Sequence, residues 1–203
     1  KDGSENTIAV QVTNKQPSSR WYSGSGIYRD VTLSYRDKVQ VAENGNHITT
    51  PKLAQQKDGN VETQIQSKIK NTAKTLAKVF VEQQIFTKEG KAVSDLVRSV
   101  TKNLAGNEAA DFKQTILVNK PTLWTTKSYH PQLYVLKTKV YNEGQLVDVT
   151  EDTFGYRYFN WTAKEGFSLN GERMKFHGVS IHHDNGALGA EENYKATYRK
   201  LKL

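Results

Sequence analysis

The sequence predicts a mainly β fold, centred on an antiparallel β-sandwich of the immunoglobulin type. Three observations predict it. Tyrosine, valine, isoleucine and leucine dominate the apolar residues, a composition that favours strands. Short alternating segments recur roughly every ten residues between Val39 and Phe154, each closed by a turn signal. The alternation is clearest where Val61, Thr63, Ile65, Ser67 and Ile69 interleave with Glu62, Gln64, Gln66, Lys68 and Lys70, the pattern of a half-buried strand.

The elements follow in order. Ile8, Val10 and Val12 share one face of a predicted strand, and Ile27 to Tyr35 reads as a second. Two strands do not make a domain, so these two call for partner strands beyond the pair. Val39 and Val41 open the sandwich, with Asn44-Gly45 read as a turn and Ile48 to Leu53 as a weak continuation broken by Pro51. Val61 to Lys70 and Leu76 to Phe86 are the next strands, the latter closed by Lys88-Glu89-Gly90-Lys91. Ala92 to Val100 reads as a shorter strand, and Phe112 to Val118 stops before Pro121. Leu133 to Tyr141 and Leu146 to Phe154 form a hairpin about Asn142-Glu143-Gly144. After Phe159, a hairpin about Asn170-Gly171 and a further strand are expected. Tyr194, Tyr198 and Leu201 then fall at helical spacing. Strand followed by helix is the pattern of the first βα unit of a barrel, which needs eight such units to close.

Composition excludes several classes. The 203 residues contain no cysteine, so disulfide frameworks and thiolate metal sites are out. That absence fits the cytoplasm or a disulfide-free bacterial cell surface or exterior, with a lean towards the exterior. No run approaches the roughly 20 apolar residues of a membrane helix. The net charge of +8 raises nucleic-acid binding, but the lysines are dispersed on alternating positions such as Lys68, Lys70, Lys137 and Lys139, as on a solvated strand face. No nucleic-acid partner is expected.

Two stretches carry a specific resemblance: Ser19-Arg20-Trp21-Tyr22-Ser23-Gly24-Ser25-Gly26-Ile27-Tyr28-Arg29-Asp30-Val31, and Asn170-Gly171-Glu172-Arg173-Met174-Lys175-Phe176-His177-Gly178-Val179-Ser180-Ile181-His182-His183-Asp184. Two more lie between them: Trp124 with Pro131-Gln132-Leu133-Tyr134, and Asp148 with Phe154-Gly155-Tyr156-Arg157. In this order the four patches resemble the family 2 glycoside hydrolases, which include β-galactosidases, β-glucuronidases and β-mannosidases. The resemblance implies an internal slice of a larger enzyme. Residues 1–36 would be the end of a sugar-binding jelly roll, 37–158 the sandwich, and 159–203 the start of the catalytic TIM barrel. Position 180 departs from the pattern, with Ser where many relatives have Asn.

The resemblance further implies that His182, at the end of the first barrel strand, contacts the sugar in the −1 subsite, with Asp184 as a second polar contact. Imidazole and carboxylate both suit sugar hydroxyls. Arg20 and Trp21 either recognise sugar, by guanidinium hydrogen bonds and indole stacking, or wedge a domain interface. His177, His182, His183 and Asp184 also suggest a metal cluster, although adjacent strand residues point oppositely and do not readily share an ion.

No catalytic residue is assigned. Retaining hydrolysis needs two carboxylates about 5 to 5.5 Å apart, and Asn107-Glu108, Asn142-Glu143 and Glu192-Asn193 all read as loop. No cofactor is expected in this stretch, while the parent enzyme is of a kind that uses Mg or Na ions. The implied parent is a bacterial β-galactosidase removing terminal β-D-galactose with retention. The alternatives are a carbohydrate-binding or adhesive module, or a β-glucuronidase or β-mannosidase parent. The implied partners are a β-galactoside and the remaining domains of that parent.

The unpaired edge expected at Ile8 to Val12 predicts self-association or strand exchange. Sedimentation velocity should show a mass that rises with concentration; a concentration-independent monomer would refute it.

Overall fold

A computed structural model describes residues 5, 7–15, 26–27, 30–127, 131–182, 185 and 193–202. The chain divides into two compact units, one of residues 35–176 and one of residues 1–34 with 177–203.

The larger unit is a sandwich with a small sheet appended. Its strands are β1 (Val39–Thr49), β2 (Asn60–Asn71), β3 (Ala77–Thr87), β4 (Val97–Arg98), β5 (Lys102–Leu104), β6 (Ala109–Asn119), β7 (Tyr134–Asn142) and β8 (Gln145–Phe154). A one-turn helix, α1 (Leu53–Gln56), follows β1. One sheet has the order β1-β2-β6; the other has β4-β3-β7-β8, with β5 also paired to β3. All these pairings are antiparallel. The inward set of β2 is the one the alternation picked out: Val61, Thr63, Ile65, Ser67 and Ile69 are all buried.

The core lies between the sheets in two apolar clusters. One gathers Val39, Val41, Ile69, Val79, Val81, Leu104, Phe112 and Val140. The other gathers Leu53, Val61, Ile65, Ile85, Ile116, Leu136, Tyr134 and Tyr156. Buried polar side chains also lie in the sandwich. Gln83 Nε2 donates to Ser67 Oγ and to Thr138 Oγ1, each at 2.9 Å, and Gln83 Oε1 accepts from Gln114 Nε2 at 2.6 Å. Ser67 Oγ donates onward to Asn46 Oδ1 at 2.5 Å. Asn46 Nδ2 donates to Thr150 Oγ1 at 3.1 Å and to Asp152 Oδ2 at 2.6 Å. The network ties β1, β2 and β6 of one sheet to β3, β7 and β8 of the other. An antibody domain places a disulfide between its sheets; this cysteine-free chain uses amides and hydroxyls.

The structure corrects two of the predicted elements in this unit and adds one. Asn44-Gly45 is not a hairpin turn. β1 runs through it with a bulge between Val41 and Asn46, where pairing to β2 slips. Asn44 has φ 50°. A Cβ at Gly45 would stand 2.7 Å from the Ala42 carbonyl oxygen and 2.9 Å from that of Lys68, so only glycine fits. Next, Ala92 to Val100 is a broken edge rather than a strand. Ser94 Oγ and Ser99 Oγ accept from the Ile85 and Val81 amides, where a regular neighbour would have offered carbonyls. Finally, β5 falls between the expected strands at a place where three residues are too few for an alternation to show.

β7 and β8 form the expected hairpin, with positive φ at Glu143 and Gly144 as a two-residue turn requires. Beyond Phe154 come β9 (Phe159–Thr162), β10 (Gly166–Leu169) and β11 (Glu172–Arg173), an antiparallel meander whose last turn is Asn170-Gly171.

In the smaller unit, the described residues of the two predicted N-terminal strands are not in strands. The described residues among 7–15 and 27–35 have no strand pairing, and Ile8, Val31 and Leu33 are exposed. The strand expected around Val179 is likewise absent over 174–182. The physical reason is common to these cases. A strand is held by the backbone of its neighbours, and none lies alongside them among the described residues. The helix is present as α2 (Tyr194–Lys202), because its hydrogen bonds are internal, and Asn193 Oδ1 caps it by accepting from Ala196 N at 3.2 Å.

Replacing Gln83 with Leu should strand Ser67, Thr138 and Gln114 without their buried partner. We expect a loss of about 3 kcal/mol in urea unfolding with the fold retained; a loss below about 1 kcal/mol would show the network to be dispensable.

Candidate functional site

Of the four residues with predicted sugar contacts, only His182 is described. It is exposed and stands in an irregular stretch, not at the end of a strand. Arg20, Trp21 and Asp184 lie outside the described residues, as does His183. Among the described residues, no three His, Cys, Asp or Glu side chains gather to hold a metal ion.

The tempting glutamates have structural roles where they are described. Glu108 Oε2 accepts from the Ala105 amide at 2.7 Å, closing its own loop, and Asn107 takes a left-handed φ of 61°. Glu143 is the first residue of the β7–β8 turn. Asn193 caps α2.

What the structure does bring together is the second pair of sequence patches. Tyr134, Phe154 and Tyr156 form a three-ring cluster with centroids 5.0 to 6.2 Å apart. Tyr156 is fully buried, and its hydroxyl lies 2.8 Å from Thr63 Oγ1. Burial pushes that phenol well above the usual tyrosine range, while the hydrogen bond with Thr63 partly counters it, so the ring stays neutral. Tyr134 Oη accepts from the Thr122 amide at 2.9 Å, and this fastens the loop that carries Trp124.

Trp124 then lies across Gly155. A Cβ there would come within 3.0 Å of the Trp124 Cβ and 3.2 Å of its ring, which is why a glycine separates Phe154 from Tyr156. The Arg157 guanidinium stands 4.9 Å over the Trp124 ring. Trp124 N donates to Tyr156 O at 2.8 Å. From the meander, Asn170 Nδ2 donates to Trp124 O at 2.8 Å, and Asn170 Oδ1 accepts from Tyr158 N at 3.2 Å. One asparagine thus bolts the meander to the sandwich. Asp148 does similar work at another place: its carboxylate accepts from the Val41 amide at 2.9 Å and faces Arg36 at 3.6 Å, next to the bulge.

Sequence reasoning missed an aromatic face on the meander. Phe159, Trp161, Phe167 and Phe176 stack on one another with centroids 4.6 to 6.3 Å apart. Phe159, Trp161 and Phe176 are each more than half exposed. The alternation of Phe159 and Trp161 was the available signal. It was obscured because both look like ordinary core residues of a strand.

The comparisons with known proteins agree with this architecture. The model of glycosyl hydrolases family 2 matches residues 45–157, more than half of the chain. A β-galactosidase of Bacteroides ovatus, BoGH2A, is 37% identical over 98% of this chain and 23% of its own length. A β-glucuronidase of Bacteroides fragilis is 25% identical over 93% of this chain and 28% of its own. The crystal structure of a glycosyl hydrolase family 2 member from Bacteroides cellulosilyticus superimposes with a TM-score of 0.77 at 32% identity, covering 90% of this chain and 23% of that one. The chain spans between 16% and 28% of the length of these and similar curated relatives.

Asn170→Gly keeps the left-handed backbone of this position (φ 52°) and removes only the bridging amide. Hydrogen exchange at Tyr158 and across the meander should quicken by about tenfold while β2 and β6 stay protected. Unchanged exchange would mean that the aromatic face alone holds the meander.

Proposed function

From the premise that the chain belongs to glycosyl hydrolase family 2, we propose that it serves a β-galactosidase as the sandwich that spaces and orients that enzyme's sugar-binding and catalytic parts. The observation that carries this is the 37% identity to a β-galactosidase along almost the whole chain. The structure of residues 35–176 supports it. Four of the signature side chains there are spent on packing: Trp124 on Gly155, Tyr134 and Tyr156 in the core, Asp148 on the bulge.

The reaction of the whole enzyme is retaining hydrolysis of terminal β-D-galactose. One carboxylate attacks the anomeric carbon as the other protonates the leaving oxygen, and the glycosyl ester is then opened by water. This chain contributes neither carboxylate in our reading. In our reading its contribution to the sugar is His182, an imidazole being suited to sugar hydroxyls, together with Asp184, Arg20 and Trp21. The β-glucuronidases among the relatives keep a uronide as the second reading.

The 203-residue chain should show no turnover of an aryl β-galactoside or β-glucuronide; measurable turnover abolished by Glu108→Gln would overturn the proposal. In an NMR titration, lactose should shift Ile181 and His182 more than a glucuronide does. The reverse order would favour the glucuronidase reading.

A further inference from the structure

The outer face of the three-stranded sheet carries a groove that plays no part in the packing described above. Two rungs of the ladder line it. His47, Gln66 and Lys113 stand side by side across β1, β2 and β6, and Thr49, Gln64 and Thr115 form the next rung. All six point away from the core, since the alternate residues Ile65 and Gln114 are buried. Between the rungs, Ile65 and Gln114 complete the lining of a cavity of about 300 Å³. That is the lower end of the volumes that hold small ligands.

The chemistry of the lining is uniform. It presents an imidazole, two carboxamides, two hydroxyls and an ammonium, and it contains no Asp or Glu and no Phe, Tyr or Trp. Among the described residues, no hydrogen bond or ion pair engages the side chains of His47, Thr49, Gln64, Lys113 or Thr115. Gln66 uses its Nε2 on Asp111 Oδ2 at 3.0 Å and keeps its carbonyl oxygen as an acceptor. Groups that both donate and accept, set on a fixed sheet spaced about 7 Å along the strand and about 5 Å across it, match a ligand with several hydroxyls. The charge is mainly basic as well. Lys68 and Lys70 continue the outward face of β2 and, with Lys113, form no ion pair among the described residues. Two carboxylates share the face: Asp111, opposite Lys68 on β6 and holding Gln66, and Glu62, paired with Lys52.

We infer that this groove is a non-catalytic binding site for an anionic oligosaccharide, a chain of sugar hydroxyls bearing carboxylate or sulfate groups. The carboxamides and hydroxyls take the ring hydroxyls, and Lys113, with Lys68 and Lys70 along the strand, takes the acid group. The site lies wholly on the sandwich and does not involve His182. It therefore stands or falls independently of the sugar and reaction proposed for the whole enzyme.

The test is an NMR titration of the isotope-labelled 203-residue chain at low salt with three probes: tetragalacturonate, a sulfated galactose tetrasaccharide, and neutral lactose. An acidic probe should shift the amides of residues 47–49, 64–66 and 113–115, with affinity about tenfold above that for lactose. Comparison of the two acidic probes assigns the site to carboxylate or to sulfate. Lys113→Gln and Gln64→Ala are exposed changes that should leave the melting temperature unchanged and weaken binding by about fivefold or more each. Lys139→Gln, on the other sheet, should leave binding as it was. No shifts at about 10 mM of either acidic probe would overturn the inference. So would lactose binding equally well, or Lys113→Gln having no effect.

Discussion

The side chain of Gln83 couples the two sheets of this sandwich, and much of the structure depends on that coupling. The amide is fully buried, so each of its hydrogen-bonding groups must find a partner inside the protein or cost stability. It finds them in Ser67, Thr138 and Gln114, on strands from both sheets. Apolar contacts would hold the sheets together at many relative offsets. A directional network is satisfied at one, and it sets that offset for both apolar clusters. Asn46 joins the network only because the Asn44-Gly45 bulge shifts the register of β1, so a backbone irregularity at the sheet edge serves a polar core.

A second constraint lies at the Trp124 junction. Trp124, Gly155, Arg157 and Asn170 come from three separated parts of the chain and touch one another. Their residue types are dictated by that contact: a flat ring, a residue without a side chain beneath it, a planar cation above it, and an amide to hold its carbonyl. The same letters that make the family recognisable in the sequence are there for mechanical reasons.

The two outward surfaces of the larger unit differ in kind. The meander presents stacked aromatic rings, and the three-stranded sheet presents amides, hydroxyls and lysines. Apolar rings out of water favour burial against something, whereas a hydrated polar groove costs little to leave open. Sequence composition does not separate them, because both are built from alternating strand residues.

The sequence by itself determined the sandwich, its inward-facing residues on β2, the β7–β8 and β10–β11 turns, α2 and the family. These rest on local periodicity, on turn chemistry, and on motifs whose spacing survives without coordinates. Tertiary structure alone decided that Asn44-Gly45 is a bulge, that Ala92 to Val100 is a broken edge, and that the stretches around Val10, Val31 and Val179 are not strands. Each depends on whether a neighbouring backbone is present to pair with, which no local pattern encodes. It also decided that Gln83, Gln114 and Asn46 meet, and that His47, Gln64 and Lys113 share one groove. Residues tens of positions apart become neighbours only through strand register, and register is a property of the assembled sheet.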